Sequence, residues 1–247
     1  MMRAKNPYML LGLGLLLTGV WLAPVAHFLL DSTPLSALGM SLMILGVVCL
    51  VLGRTRPTIS PEVSALLLET SLENISAIIE ELGLRAKAVY LPSSMTQGQP
   101  QALIPLHSNP SLPLIAKPLP KRLIVKYGPS PEDIGLLIAT PGSATTKMLD
   151  STPGPTSAEL EDALSSILDG MLDIADSVRV TMTDKNTTIE VSNPRIEYKN
   201  IRFYECLGSP LASIAAALAA EALDKPIAIE SEAHGKGKSV IELVTLG

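Results

Sequence analysis

Two long apolar runs separated by four residues constrain this chain more than any other feature. The first, YMLLGLGLLLTGVWLAPVAHFLL, covers residues 8–30; the second, LSALGMSLMILGVVCLVLG, covers residues 35–53. As a helix the first would span roughly 34 Å, which suits a hydrocarbon core of about 30 Å with modest tilt. The second is just long enough to do the same. Both runs are apolar on every face, so neither reads as one side of a water-soluble hairpin. The link, Asp31 to Pro34, forces the two helices to be antiparallel neighbours.

Arg3 and Lys5 resemble the start of a cleaved signal peptide, but the apolar run exceeds the usual 7–15 residues and a second span follows at once. The basic residues set the orientation. Arg3 and Lys5 precede the first span, Arg54 and Arg56 follow the second, and the link holds none. That bias predicts a two-span protein of the cell membrane with its N- and C-termini cytoplasmic. Tyr8 suits the inner interface, Trp21 lies too deep for a simple belt role, and Pro24 is expected to kink the first span. Gly12, Gly14 and Gly19 on the first helix, with Gly39 and Gly46 on the second, supply small surfaces for close approach within the hairpin or between copies. From Tyr8 to Gly53 the one formally charged side chain is Asp31, beside the link. With no charge mid-membrane, a pump or transporter is disfavoured.

After the hairpin the composition becomes that of a soluble α+β domain. Residues 58–247 hold 15 Lys and Arg against 23 Asp and Glu, a net of −8. Such a balance offers no basic footprint for nucleic acid and argues against broad adhesion to anionic lipid. The expected organisation is a transmembrane helical hairpin over 1–56, the first half of a cytoplasmic α+β domain over 57–150, and its second half over 151–247.

Ser60 followed by Pro61 signals a helix start, and the apolar spacing predicts a helix to about Leu82, stopped by Gly83. Strands are predicted in AKAVYLPSS and QALIPLHS, with a turn around Gln97 to Pro100. A proline-rich, extended path covers Asn109 to Arg122. LIVKYG and GLLIATPG read as strands, and GSATTKMLD as a short helix capped by Ser143. A second long helix is expected from Thr156 to Asp176. SVRVTMT and TTIEVSN form a hairpin, and IEYKNIRFYE adds one or two strands. Ser209 then caps an alanine-rich helix, Pro210–Leu223, expected to be the most buried. A closing hairpin turns around His234 to Gly237. Ser-Asn-Pro recurs at 108–110 and 192–194, and Gly-Ser at 142–143 and 208–209, which suggests two pseudo-repeats.

The stretches ELGLRAKAVYLPSS, QALIPL and YECLGSPLASIAAALAAEALDKPIAI resemble those of uncharacterised archaeal membrane proteins with this two-span plan, a family with no assigned activity. The cysteine, helix and hairpin ending is also similar to small-molecule-binding domains of the vinyl-reductase type. The sequence lacks the second cysteine-containing motif that such domains often carry. That second likeness implies a ligand pocket near Cys206 and the helix over 210–223.

Candidate sites are few. Cys206 precedes a helix start, where the dipole could lower a thiol pKa; a buried structural role competes. Ser209 belongs to the same segment. TPGSATTK, with Ser143 and Thr145, could cradle an anion at a helix start, although it lacks P-loop spacing and ordinary capping is the favoured reading. Glu80-Glu81 and Glu161-Asp162 read as solvated helix faces. G-x-S-x-G, H-E-x-x-H and C-x-x-C are absent, and Cys49 and Cys206 cannot build a zinc site of usual spacing. No catalytic residue, metal or cofactor is therefore predicted. The lipid bilayer is the first expected partner, with a protein partner or a second copy next and nucleic acid excluded. The expected function is a non-catalytic membrane-anchored interaction or scaffold module. A membrane-tethered small-molecule sensor is the alternative, and an enzyme of unrecognised type the third.

Overall fold

A computed structural model describes residues 7–55, 61–107, 115, 118–196, 201–235 and 237–246. The chain divides into two compact units, Met1–Leu68 and Glu69–Gly247.

The first unit holds the helices α1 (Pro7–Phe28) and α2 (Thr33–Thr55), both long and apolar enough to cross a membrane. Small residues at intervals of seven line their contact: Gly12, Gly19 and Ala26 on α1, Gly39, Gly46 and Gly53 on α2. A seven-residue period keeps one seam facing its partner with slight left-handed coiling. The approach is very close. A Cβ on Gly39 would fall 2.6 Å from the Ala23 nitrogen, and one on Gly46 2.7 Å from the Leu16 nitrogen. Gly14, expected with the small surface, is outside this seam; a Cβ there meets nothing within 4 Å. It sits two residues from Gly12, so about 200° around the helix. Leu10, Leu13, Leu17, Ile44 and Val51 are exposed, so the outward faces are as apolar as the seam.

A third stretch, Arg202–Leu223, is also long and apolar enough to span a bilayer, but it is 78% buried inside the protein and is interrupted after Leu207. Composition alone does not separate it from the first two; burial does.

Helix α3 (Pro61–Glu81) runs across the boundary between the units, and Leu72, Ile75 and Ile79 join the core of the second. That unit is built on an antiparallel sheet, eight-stranded among the described residues. In chain order these are β1 (Val89–Leu91), β2 (Gln101–Pro105), β3 (Ile124–Lys126), β4 (Ile134–Ile138), β5 (Ser177–Met182), β6 (Asn186–Ser192), β7 (Ile227–Gly235) and β8 (Lys238–Thr245). Their spatial order is β3-β4-β2-β1-β7-β8-β6-β5. Read from the β3 edge, the first four strands lie third, fourth, second, first, and the last four repeat that order. The β1–β7 pair joins the two sets, with Val89 opposite Ala228.

The remaining helices are α4 (Pro141–Thr145), α5 (Ser157–Ser165, continued by a wider turn to Met171), α6 (Arg202–Leu207) and α7 (Pro210–Leu223). α7 lies against β1 and β7, with α4 and α5 beside it. Its residues from Leu211 to Ala220 are all buried, as expected for the alanine-rich helix. The short side chains permit the approach: Gly142 of α4 packs on the Ser213 carbonyl and Ala217. The second face of β1–β4 is covered by Leu119, Tyr127 and Met95, which pack on Leu91, Leu103 and Leu137. On β5 the inward Val178 and Val180 alternate with outward Ser177, Arg179 and Thr181, the pattern of a sheet wet on one side.

Four expectations need correction. Arg202–Leu207 is helix, not strand: Phe203, Cys206 and Leu207 face the core at helical spacing, and Arg202 pairs with Glu205 at i,i+3. α4 is capped by Thr140; Ser143 is the third residue of the capping box. The second long helix ends at Met171 rather than Asp176, and Asp173 adopts a left-handed conformation (φ 51°) just beyond it. The two Gly-Ser pairs are not equivalent, since 142–143 follows β4 and 208–209 precedes β7. The first Ser-Asn-Pro lies outside the described residues.

Candidate functional site

Cys206 and Ser209 come together at the start of α7. Cys206 lies in the last turn of α6, and its carbonyl accepts the Ala88 amide at 2.8 Å. Gly208, in the left-handed region (φ 76°), breaks the chain there and lets α7 begin afresh. Ser209 caps α7: its hydroxyl accepts the Ala212 amide at 3.1 Å and donates to Glu232. Glu232 also accepts the Ser209 amide at 3.1 Å. The carboxylate thus sits at the positive end of α7, where unsatisfied amides favour an anion.

A β-bulge explains how Glu232 gets there. The register of β7 against β8 shifts between Ile229 and Ser231. Before the shift, Ile227 and Ile229 face the helices. After it, Glu232 and His234 do, opposite Ile241 and Ser239. Lys87 donates to the Glu230 carbonyl at the bulge, at 2.7 Å. His234 Nε2 lies 3.1 Å from Glu232, and its Nδ1 lies 3.0 Å from the Ser239 hydroxyl.

Ser239, His234 and Glu232 therefore have the connectivity of a nucleophile, base and orienting acid. Ser239 is fully buried, however, so its hydroxyl offers no approach to a substrate carbonyl. The sequence held a signal for part of this group, since Glu232 and His234 are two apart in a strand and so share a face. Which face they take depends on the bulge.

A cleft of about 130 Å³ opens beside this network, lined by Lys87, Tyr204, Cys206, Gly208, Ile229 and Glu232. Burial pushes the Cys206 thiol above its ordinary value; Arg202 opposes the shift and Glu205 adds to it. The expected lowering is corrected, because burial outweighs the Arg202 charge at this position in the last turn of α6. Beneath the same corner Tyr90 is fully buried and donates to the Leu207 carbonyl at 2.6 Å. Burial first, and Glu232 second among the raising causes, keep its phenol neutral far above the usual range.

Ser143 and Thr145 sit elsewhere, on α4. Ser143 is committed to the capping box: its hydroxyl accepts the Thr140 amide at 2.9 Å. Thr145 donates to the Gly142 carbonyl at 3.0 Å. Both are buried, so TPGSATTK caps its own helix. Glu161 is not merely solvated: it accepts the Val180 amide on the edge strand β5 at 2.7 Å. Among the described residues no group of His, Cys, Asp and Glu is placed to hold a metal ion.

A family model described as a domain of unknown function, DUF7982, matches residues 3–245. The chain belongs to this family. No curated protein and no solved structure matches it. The match covers the apolar hairpin and the α+β unit together, so DUF7982 includes both.

Proposed function

We propose that this DUF7982 protein is a non-catalytic interaction module held in the membrane by its α1–α2 hairpin, with the α+β unit and both termini in the cytoplasm. The observation that carries the reading is the exposure of apolar side chains over the whole outward surface of α1 and α2. Lipid is a good solvent for such a pair, and water is not. The distribution of Arg3, Lys5, Arg54 and Arg56 supports the orientation. The internal engagement of Ser143, Thr145 and Ser209 and the shielding of Cys206 favour a structural role over chemistry. The resemblance noted above supports an archaeal source, and the matching strand order of the two sets supports a duplication.

Alkaline carbonate extraction followed by crosslinking in native membranes tests the proposal. Retention in the pellet together with a specific crosslinked species is expected. Release into the supernatant, or a strictly monomeric protein without partners, overturns it.

The cleft at Cys206 favours a second reading, a small-molecule sensor of the kind the vinyl-reductase likeness implies. Its volume is well below the roughly 300 Å³ at which drug-sized ligands begin to fit, so only a very small ligand suits it. Native mass spectrometry of the protein released from detergent would show a retained mass, and Cys206→Ala would remove it.

A further inference from the structure

The first two turns of α3 carry an exposed apolar face. From Val63 to Leu68 there is no charged side chain, and Val63, Leu66, Leu67 and Leu68 are exposed, the middle two at 63% and 59%. Val63, Leu66 and Leu67 cluster within one arc of the helix. The core-facing stripe of Leu72, Ile75 and Ile79 lies about 150° away at 3.6 residues per turn. The core that takes that stripe therefore cannot also cover the arc of Val63.

Five residues, 56–60, join Thr55 at the end of α2 to Pro61 at the start of α3. Fully extended, such a link reaches no more than about 20 Å. Residues up to Leu68 also group with the hairpin rather than with the sheet. If the hairpin spans a bilayer, α3 starts within that reach of the inner end of α2.

We propose that the first two turns of α3 lie in the membrane interface, with Val63, Leu66 and Leu67 turned toward the acyl chains. The occupant of the face is the lipid surface. α3 has no Lys or Arg in its sequence, so the contact is apolar rather than an attraction to anionic headgroups. This inference rests on the membrane reading above, and the test separates the two.

Full-length protein with Cys49→Ala and Cys206→Ala receives a single cysteine by Leu67→Cys, labelled with an environment-sensitive fluorophore, in phosphatidylcholine nanodiscs holding one copy each. Leu17→Cys marks the span and Thr181→Cys the outward face of β5. The Leu67 label is expected to shift to the blue and to be quenched by nitroxide lipids spin-labelled near the ester group. Mid-chain spin labels should quench it less than they quench Leu17. Leu66→Cys provides a second position with the same expected readout. Loss of Leu17 quenching would sink the membrane reading itself. Leu17 quenched with Leu66 and Leu67 reading like Thr181 would overturn the inference while leaving the anchor intact. A blue shift without lipid quenching, or one seen only with two copies per disc, would assign the face to protein and equally overturn it.

Discussion

Replacing Gly142 by alanine tests the close approach of α4 to α7 in the second unit. An added methyl would fall 2.5 Å from the Ala217 Cβ and 3.0 Å from the Ser213 carbonyl carbon, and closer still to the Ser213 oxygen. Ordinary carbon contacts lie near 3.5–4.0 Å, so α4 must retreat by about 1 Å from α7. Overpacking of that kind costs about 1–3 kcal/mol. Alanine gains up to about 1 kcal/mol of helix propensity over glycine, and less at a helix start. The expected net loss is about 1–2 kcal/mol, a fall in melting temperature of roughly 2–8 °C for a domain of this size. Gly170→Ala is the control, because a Cβ there meets nothing within 4 Å and its φ is not positive. Thermal melts of both full-length variants in detergent, followed by circular dichroism and protease resistance, give the comparison. If Gly142→Ala melts at or above Gly170→Ala, α4 and α7 do not approach as described.

Within the hairpin, Gly39→Val should splay α1 from α2 and change mobility on denaturing gels, whereas Gly14→Val should leave it unchanged; equal effects would refute the seven-residue seam. Cys206 should react with iodoacetamide at pH 8 far more slowly than a free thiol, since its raised pKa lowers the thiolate fraction there, and its rate should climb only above the ordinary thiol range. Free-thiol reactivity in the folded protein would contradict the burial of this site. Glu161→Ala removes the acceptor for the Val180 amide on edge strand β5, and faster hydrogen exchange at that amide is the expected result, with an unchanged rate counting against the bond.

Local chemistry made much of this protein legible in its sequence. Uniform apolarity over the expected spans placed α1 and α2 within two residues, because length and composition suffice where every face of a helix is the same. Ser209 and Pro210 marked the start of α7, and Gly83 the end of α3, through capping and backbone freedom that act over a few residues. SVRVTMT and TTIEVSN marked the β5–β6 hairpin. Signals of this range failed where two readings fit the same letters. Ile201 to Glu205 alternates like a strand, yet Phe203, Cys206 and Leu207 find a core only as a helix.

Tertiary structure decided the rest. The bulge at Glu230 moves Glu232 and His234 to the helix-covered face, and no local pattern sets a one-residue shift against a neighbouring strand. The thiol of Cys206 is raised rather than lowered because burial by segments distant in the chain outweighs Arg202. Arg202–Leu223 matches a membrane span in composition, and only the sheet beneath it and the helices beside it make it a protein core. Short-range preferences fix where elements begin and end. Which faces meet depends on partners far away in the chain.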